Sequence, residues 1–240
     1  MKFNQIADDL VSATQRLSFS APVTHVYNPL VYAREPNDLY WERFGHLGAP
    51  TVLLGMNPGP WGMVQTGVPF GEISVVRDWM GITARVGKPE NEHPKRPVEG
   101  FDCVKSEVSG RRLWGWARKV YGSPDNFFTH FFVINYCPLV FMEASGRNRT
   151  PNNLPAAEKK PLLAVCDQAL RRTVSLLAPK RVIGIGAFAE QRAKAALGDL
   201  DIPIGRITHP SPANPKANRG WEGVISKELE SLGIGVRRKV

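Results

Sequence analysis

The sequence is poor in the features that mark membrane, secreted or metal-centred proteins. None of its 240 residues falls in an apolar run of about 18, so no transmembrane helix is expected. The opening MKFNQIADDLVSATQRL carries two aspartates and no continuous apolar stretch. It does not read as a secretory signal. Cysteine is scarce: Cys103, Cys137 and Cys166, an odd number with no CxxC spacing. That excludes a four-cysteine iron–sulfur cluster or a cysteine-rich zinc site and favours a reducing compartment. The five histidines are scattered, and neither an HExxH motif nor a Ser-His-Asp spacing occurs. "GIGAF" lacks the Gly-Lys-Ser/Thr ending of a phosphate loop. No metal or cofactor is expected, and the protein is expected to be intracellular: cytoplasmic or nucleoid-associated in a bacterium, nuclear in a eukaryote.

Positive charge is abundant instead. Lys and Arg number 31 against 22 Asp and Glu, a net charge of +9 with pI near 9.7. The basic residues gather in "RVGKPENEHPKR", "GRNR" and "NPKANR", which read as loops. Such a balance points to a polyanionic partner and says nothing about fold.

Hydrophobic patterning suggests alternating strands and helices. Apolar residues recur at helical steps over 4–18, and TVLLG (51–55) is a brief buried strand bounded by Pro50 and Gly55. Helical spacing returns over 71–82, a polar loop runs to about residue 104, and Leu113, Trp116, Ala117 and Val120 suggest the next helix. Strands are expected at 130–135, 181–186 and 204–208, helices at 156–178, 187–197 and 217–232, and a polar loop at 144–155. Cys166 falls on an apolar helix face with Leu162, Ala169 and Leu170, a packing position. No repeat or linker divides the chain, so 1–240 reads as one α/β domain with a mainly parallel sheet.

Ligands of open α/β sheets bind beyond the carboxyl ends of the strands. The first strand runs into GMNPGPWGMVQTGVPFGE (55–72), the second ends at Asn135 in NYCPL, and the fourth ends at His209 in HPSPANPKANRGW. Each has a plain structural explanation: a hydrogen-bonded histidine, a turn asparagine, a Gly/Pro turn. Their meeting at one sheet edge of a basic protein favours function.

These three segments, with VRDWMGI and FDCVKSEVSGRRLWGW, resemble the single-strand-selective monofunctional uracil-DNA glycosylases, in order and separation, over most of residues 25–230. The resemblance implies a three-layer α/β/α fold around a four-stranded parallel sheet. It also implies removal of uracil, and of some 5-substituted uracils, from single- and double-stranded DNA by base flipping. Asn57 and His209 are implied as catalytic residues, one orienting water and the other stabilising the departing base. Met56, Gly59, Met63, Phe70 and Asn135 are implied to hold the base, Phe70 by stacking and Asn135 by its donor–acceptor amide. Ser211, Pro212, Ala213, Asn214 and Pro215 would form a wedge into DNA, with Lys216 and Arg219 on phosphates. Ala213 stands where the pattern has a longer basic side chain. A monomer is expected. Xanthine or hypoxanthine release, a non-catalytic DNA-binding module and a nucleoside hydrolase are the alternatives.

Overall fold

The computed structural model describes residues 3–235. Its centre is a parallel sheet of β2 (Thr51–Gly55), β3 (Phe131–Asn135), β6 (Arg181–Ile185) and β7 (Ile204–Ile207), in the order β3-β2-β6-β7. These are the four strands expected from the apolar runs. All five residues of β2 are buried, as a central strand covered on both faces requires. Register places Gly55 opposite Asn135 and Ile185 opposite Ile207, so the strands finish at one edge. From β2 the chain goes first to β3 on one side and later to β6 on the other. A crevice opens where the order reverses in this way.

Among the described residues, ten α-helices surround the sheet: α1 (Phe3–Gln15), α2 (Pro29–Tyr32), α3 (Arg34–Phe44), α4 (Met63–Thr66), α5 (Val108–Tyr121), α6 (Pro124–Phe128), α7 (Ala156–Leu177), α8 (Ala187–Leu197), α9 (Pro215–Asn218) and α10 (Trp221–Ser231). Helix α8 packs on β6, β2 and β7, with α7 against α8 and α1 against α7. Helix α6 packs on β3, α10 on β7, and α5 on both helices. Cys166 is buried in this core, as its place on the apolar face of α7 suggests. No described helix is long and apolar enough to cross a membrane.

Several elements depart from expectation. A second sheet, β1 (Val23–Tyr27), β4 (Val140–Glu143) and β5 (Asn148–Arg149), pairs antiparallel in the order β1-β4-β5. β5 lies inside the expected loop 144–155, and its two residues are too few to show a period. Over 71–82 only a short helical segment forms, with a π turn at Val75–Trp79 that closes with Met80 N–H donating to Val75 O at 2.9 Å. The Glu72 carboxylate accepts from Ser74 Oγ and Val75 N–H, starting that turn. The expected helix 217–232 is split, because Gly220 takes φ +109 between α9 and α10.

Candidate active site

Beyond the strand ends lies a cleft of about 540 Å³. It is lined by Met56, Asn57, Gly59, Phe70, Asn135, His209, Ser211 and Pro212, so eight of the expected site residues meet there. Met63 does not line it. Its sulfur lies behind Asn135, accepting from Asn135 Nδ2 at 3.2 Å. Ala213, Asn214, Pro215, Lys216 and Arg219 lie on the loop beside the cleft rather than in its wall.

The backbone ties the two asparagine segments together. Tyr136 N–H donates to Gly55 O and Cys137 N–H to Met56 O, both at 2.9 Å. Gly55 allows the crowding that follows. A Cβ there would lie 2.3 Å from Asn135 Oδ1 and 2.6 Å from Phe70 Cε2.

The polarity of Asn57 is fixed by its neighbour. Its Nδ2 donates to Leu139 O at 3.1 Å. A carbonyl only accepts, so the amide cannot be reversed without losing that bond, and Oδ1 is left as an acceptor. Phe70 is held in a strained backbone, φ 55, which costs a bulky residue on the order of 1 kcal/mol. Trp114 Nε1–H donates to Phe70 O at 3.0 Å. Gly110 makes room for that carbonyl, since a Cβ would come within 2.1 Å of it. The Phe70 ring lies 6.1 Å from the His209 ring, at 44°.

His209 is also fixed in polarity. Ser211 N–H donates to its Nδ1 at 3.0 Å, so Nδ1 carries no proton and Nε2–H is the ring's donor. Burial pulls its pKa down to about 4, which keeps the imidazole neutral near pH 7. The flanking loop is braced internally. Thr208 is bound by Glu228, Asn214 Nδ2 donates to His209 O, Arg112 donates to Pro210 O, and Asn218 Nδ2 donates to Pro212 O. Lys216, expected on phosphate, pairs with Glu228. Arg219 is exposed.

Among the cleft residues that the sequence did not single out, Trp61 and Glu107 carry chemistry. Trp61 lines it with Lys105 Nζ 4.1 Å and Arg96 Cζ 5.1 Å from its ring centroid. Glu107 lines it from the residue before α5, and burial raises its carboxyl pKa to about 7. The signal for Trp61 was an aromatic inside the Gly/Pro segment. For Glu107 it was only a lone acid in the basic run VKSEVSGRR.

Residues 42–227 match the Uracil DNA glycosylase superfamily. The chain is 51% identical over 222 residues to a single-strand selective monofunctional uracil DNA glycosylase of Bos taurus, covering 92% of this chain and 82% of that protein. It is likewise 51% identical to the Rattus norvegicus protein of that name, over 91% and 80%. The crystal structure of Pedobacter heparinus SMUG2 superposes with a TM-score of 0.67 at 16% identity, covering 95% and 97% of the two chains, a likeness of fold. This chain belongs to the uracil DNA glycosylase superfamily, among the single-strand-selective monofunctional uracil-DNA glycosylases.

Proposed function

We propose that the chain, acting as one domain over 1–240, is a monofunctional glycosylase that flips uracil out of DNA and hydrolyses its glycosidic bond, leaving an abasic site. The observation that carries this is the fixed polarity of two side chains in one cleft: Asn57 presents an acceptor, and neutral His209 presents an Nε2–H donor.

Phe70 stacks on the flipped base and Asn135 reads its edge. As the glycosidic bond lengthens, negative charge grows on the base O2, where the His209 Nε2–H donates. A preorganised donor aimed at charge that appears only in the transition state contributes about 3 kcal/mol. Positive charge grows on the sugar, and Asn57 Oδ1 accepts a hydrogen bond from the water that adds there. An amide is no base, so the water is activated by the cation it approaches, and orientation suffices. The proton it sheds goes to solvent, and the base leaves as its anion. The one lysine of the three strand-end segments, Lys216, pairs with Glu228 beside the cleft rather than in its wall, which fits a glycosylase without a lyase step.

The weak anchoring of Asn135 supports a wider base range. Among the described residues its Nδ2 bonds only to a thioether, a weak acceptor, and its buried Oδ1 has no partner. An amide held so lightly can reverse to read xanthine or hypoxanthine. With no bulky tyrosine in the base-binding motif, 5-substituted uracils fit the same scheme. Both single and double strands are proposed substrates.

Incubating purified protein with single-stranded oligonucleotides carrying uracil, 5-hydroxymethyluracil, xanthine, hypoxanthine or thymine tests the proposal. Uracil release is expected, with thymine left intact. Uracil left in place at saturating enzyme overturns the catalytic reading and leaves a DNA-binding module.

A further inference from the structure

A carboxyl group is the least expected side chain in a cleft for a polyanion, yet Glu107 lines this one. Its side chain lies on the turn that carries Asn57. A Cβ on Gly59 would come within 2.0 Å of Glu107 Oε2, and one on Gly62 within 2.5 Å. The two glycines therefore seat this carboxyl.

Among the described residues no counter-charge pairs with it. Oε2 is buried without a hydrogen-bond partner among the described residues. The cations around it are turned to other groups. Lys105 and Arg96 lie over the Trp61 ring, Arg111 donates to Ser106 Oγ, and Arg112 donates to Pro210 O and Asn218 Oδ1. Glu72, beside Gly110, is occupied with Ser74 and Val75, and His209 is neutral. A buried carboxylate without a partner is costly, whereas a protonated carboxyl is not.

We propose that Glu107 is a positioning residue: seated on Gly59 and Gly62, it braces the Asn57 turn, and it does so uncharged whenever a phosphate-bearing strand occupies the cleft. Burial pushes its carboxyl up to about 7, while a hydrogen bond from the Trp61 backbone N–H works in the opposite direction. Phosphates brought into the cleft raise it further, because like charge disfavours the carboxylate. Binding of DNA then takes up a proton above neutral pH. The inference rests on the glycosylase proposal only in taking DNA as the ligand.

The test is the affinity for a single strand carrying 2′-fluoro-2′-deoxyuridine, which resists cleavage, at pH 6 and pH 8 and one ionic strength. For the wild type, Kd is expected to weaken about tenfold across that interval, since each pH unit above the free pKa reduces binding by up to tenfold. Glu107→Gln, neutral at both pH values, is expected to show a ratio within about twofold. Glu107→Ala is expected to lower kcat for uracil release through the loosened turn, with Gln restoring part of it. A purely structural side chain leaves the pH ratio unmoved. Should Glu107→Gln not fold, calorimetry of wild-type binding at pH 7.5 in buffers of differing ionisation enthalpy is expected to register uptake of most of a proton. Equal wild-type affinity at both pH values, a Gln ratio matching wild type, or no proton uptake overturns the inference while leaving the glycosylase proposal intact. No binding at either pH overturns both.

Discussion

Asn57 and His209 are constrained at the atom facing away from the reaction, and this defines the atom facing toward it. Leu139 O holds the Asn57 Nδ2, and Ser211 N–H holds the His209 Nδ1. Replacing His209 with alanine removes the donor and is expected to slow single-turnover uracil release by about a hundredfold. Asn57→Ala is expected to slow it at least about tenfold through loss of water orientation. A wild-type rate in either variant removes that residue from the mechanism. The low pKa of His209 also sets a pH window. The folded ring titrates near 4, below its ordinary value of 6.5. Between those values the unfolded chain holds a proton that the folded chain does not. The stability from this group is therefore full above 6.5 and declines as pH falls toward 4, by at most about 1.4 kcal/mol per unit. Denaturant melts at pH 7 and 4.5 should show a smaller loss in His209→Gln than in wild type. Gly55 is a third test at this scale. Gly55→Ala drives a methyl into Asn135 and Phe70, and is expected to raise KM for uracil DNA more than it lowers the melting temperature.

Among the elements, the stretch from His209 to Trp221 is pinned at both ends. Glu228 and the Trp221 Nε1–H hold Thr208, Arg112 spans Pro210 and Asn218, and Asn214 caps α9 by accepting from Lys216 N–H. Prolines alone could suggest a stiff loop, but they could not reveal these side-chain braces, of which the Arg112 contacts span 98 and 106 positions. The exposed tip ends in a methyl group at Ala213. Opening a base pair costs a few kcal/mol, and a longer side chain fills more of the gap. Ala213→Arg is therefore expected to raise uracil release from duplex DNA several-fold while changing the single-strand rate little. An unchanged duplex-to-single-strand ratio would remove the tip from base extrusion. The four parallel strands were legible in the sequence because buried strands are short apolar runs ending in glycine or a polar residue. β1 (VTHVY), buried only at its two end residues, and two-residue β5 offer no such run. The π turn and the break at Gly220 are backbone events that side-chain periodicity does not record. The three strand-end residues could be read as a site because topology alone brings them together. Trp61 and Glu107 could not, because their roles depend on which side chains cross the cleft.

Across the whole molecule, the net charge of +9 is arranged by the fold rather than spread evenly along the chain. Arg96 Nε–H donates to Gly146 O, and His93 shares a hydrogen bond with Glu143 O, so the basic segments around residues 93–96 and 146–149 lie together. Through Arg96 they reach Trp61 on the cleft wall, where Lys105 joins them. Arg219 lies on the loop after His209. Lys216 and Arg149, by contrast, are neutralised by Glu228 and Glu143. A strand crossing the cleft thus meets a few unpaired cations rather than the full basic excess. Each phosphate neutralised on single-stranded DNA contributes about −0.7 to the slope of log K against log salt. Contacts to Arg96, Lys105 and Arg219 predict a slope near −2, measured by anisotropy between about 50 and 200 mM salt. Lys105→Ala should bring that slope about 0.7 closer to zero and weaken binding equally for uracil and thymine strands, because a phosphate contact carries no base information. A Lys105→Ala effect confined to uracil strands would move that lysine from the backbone track into base recognition.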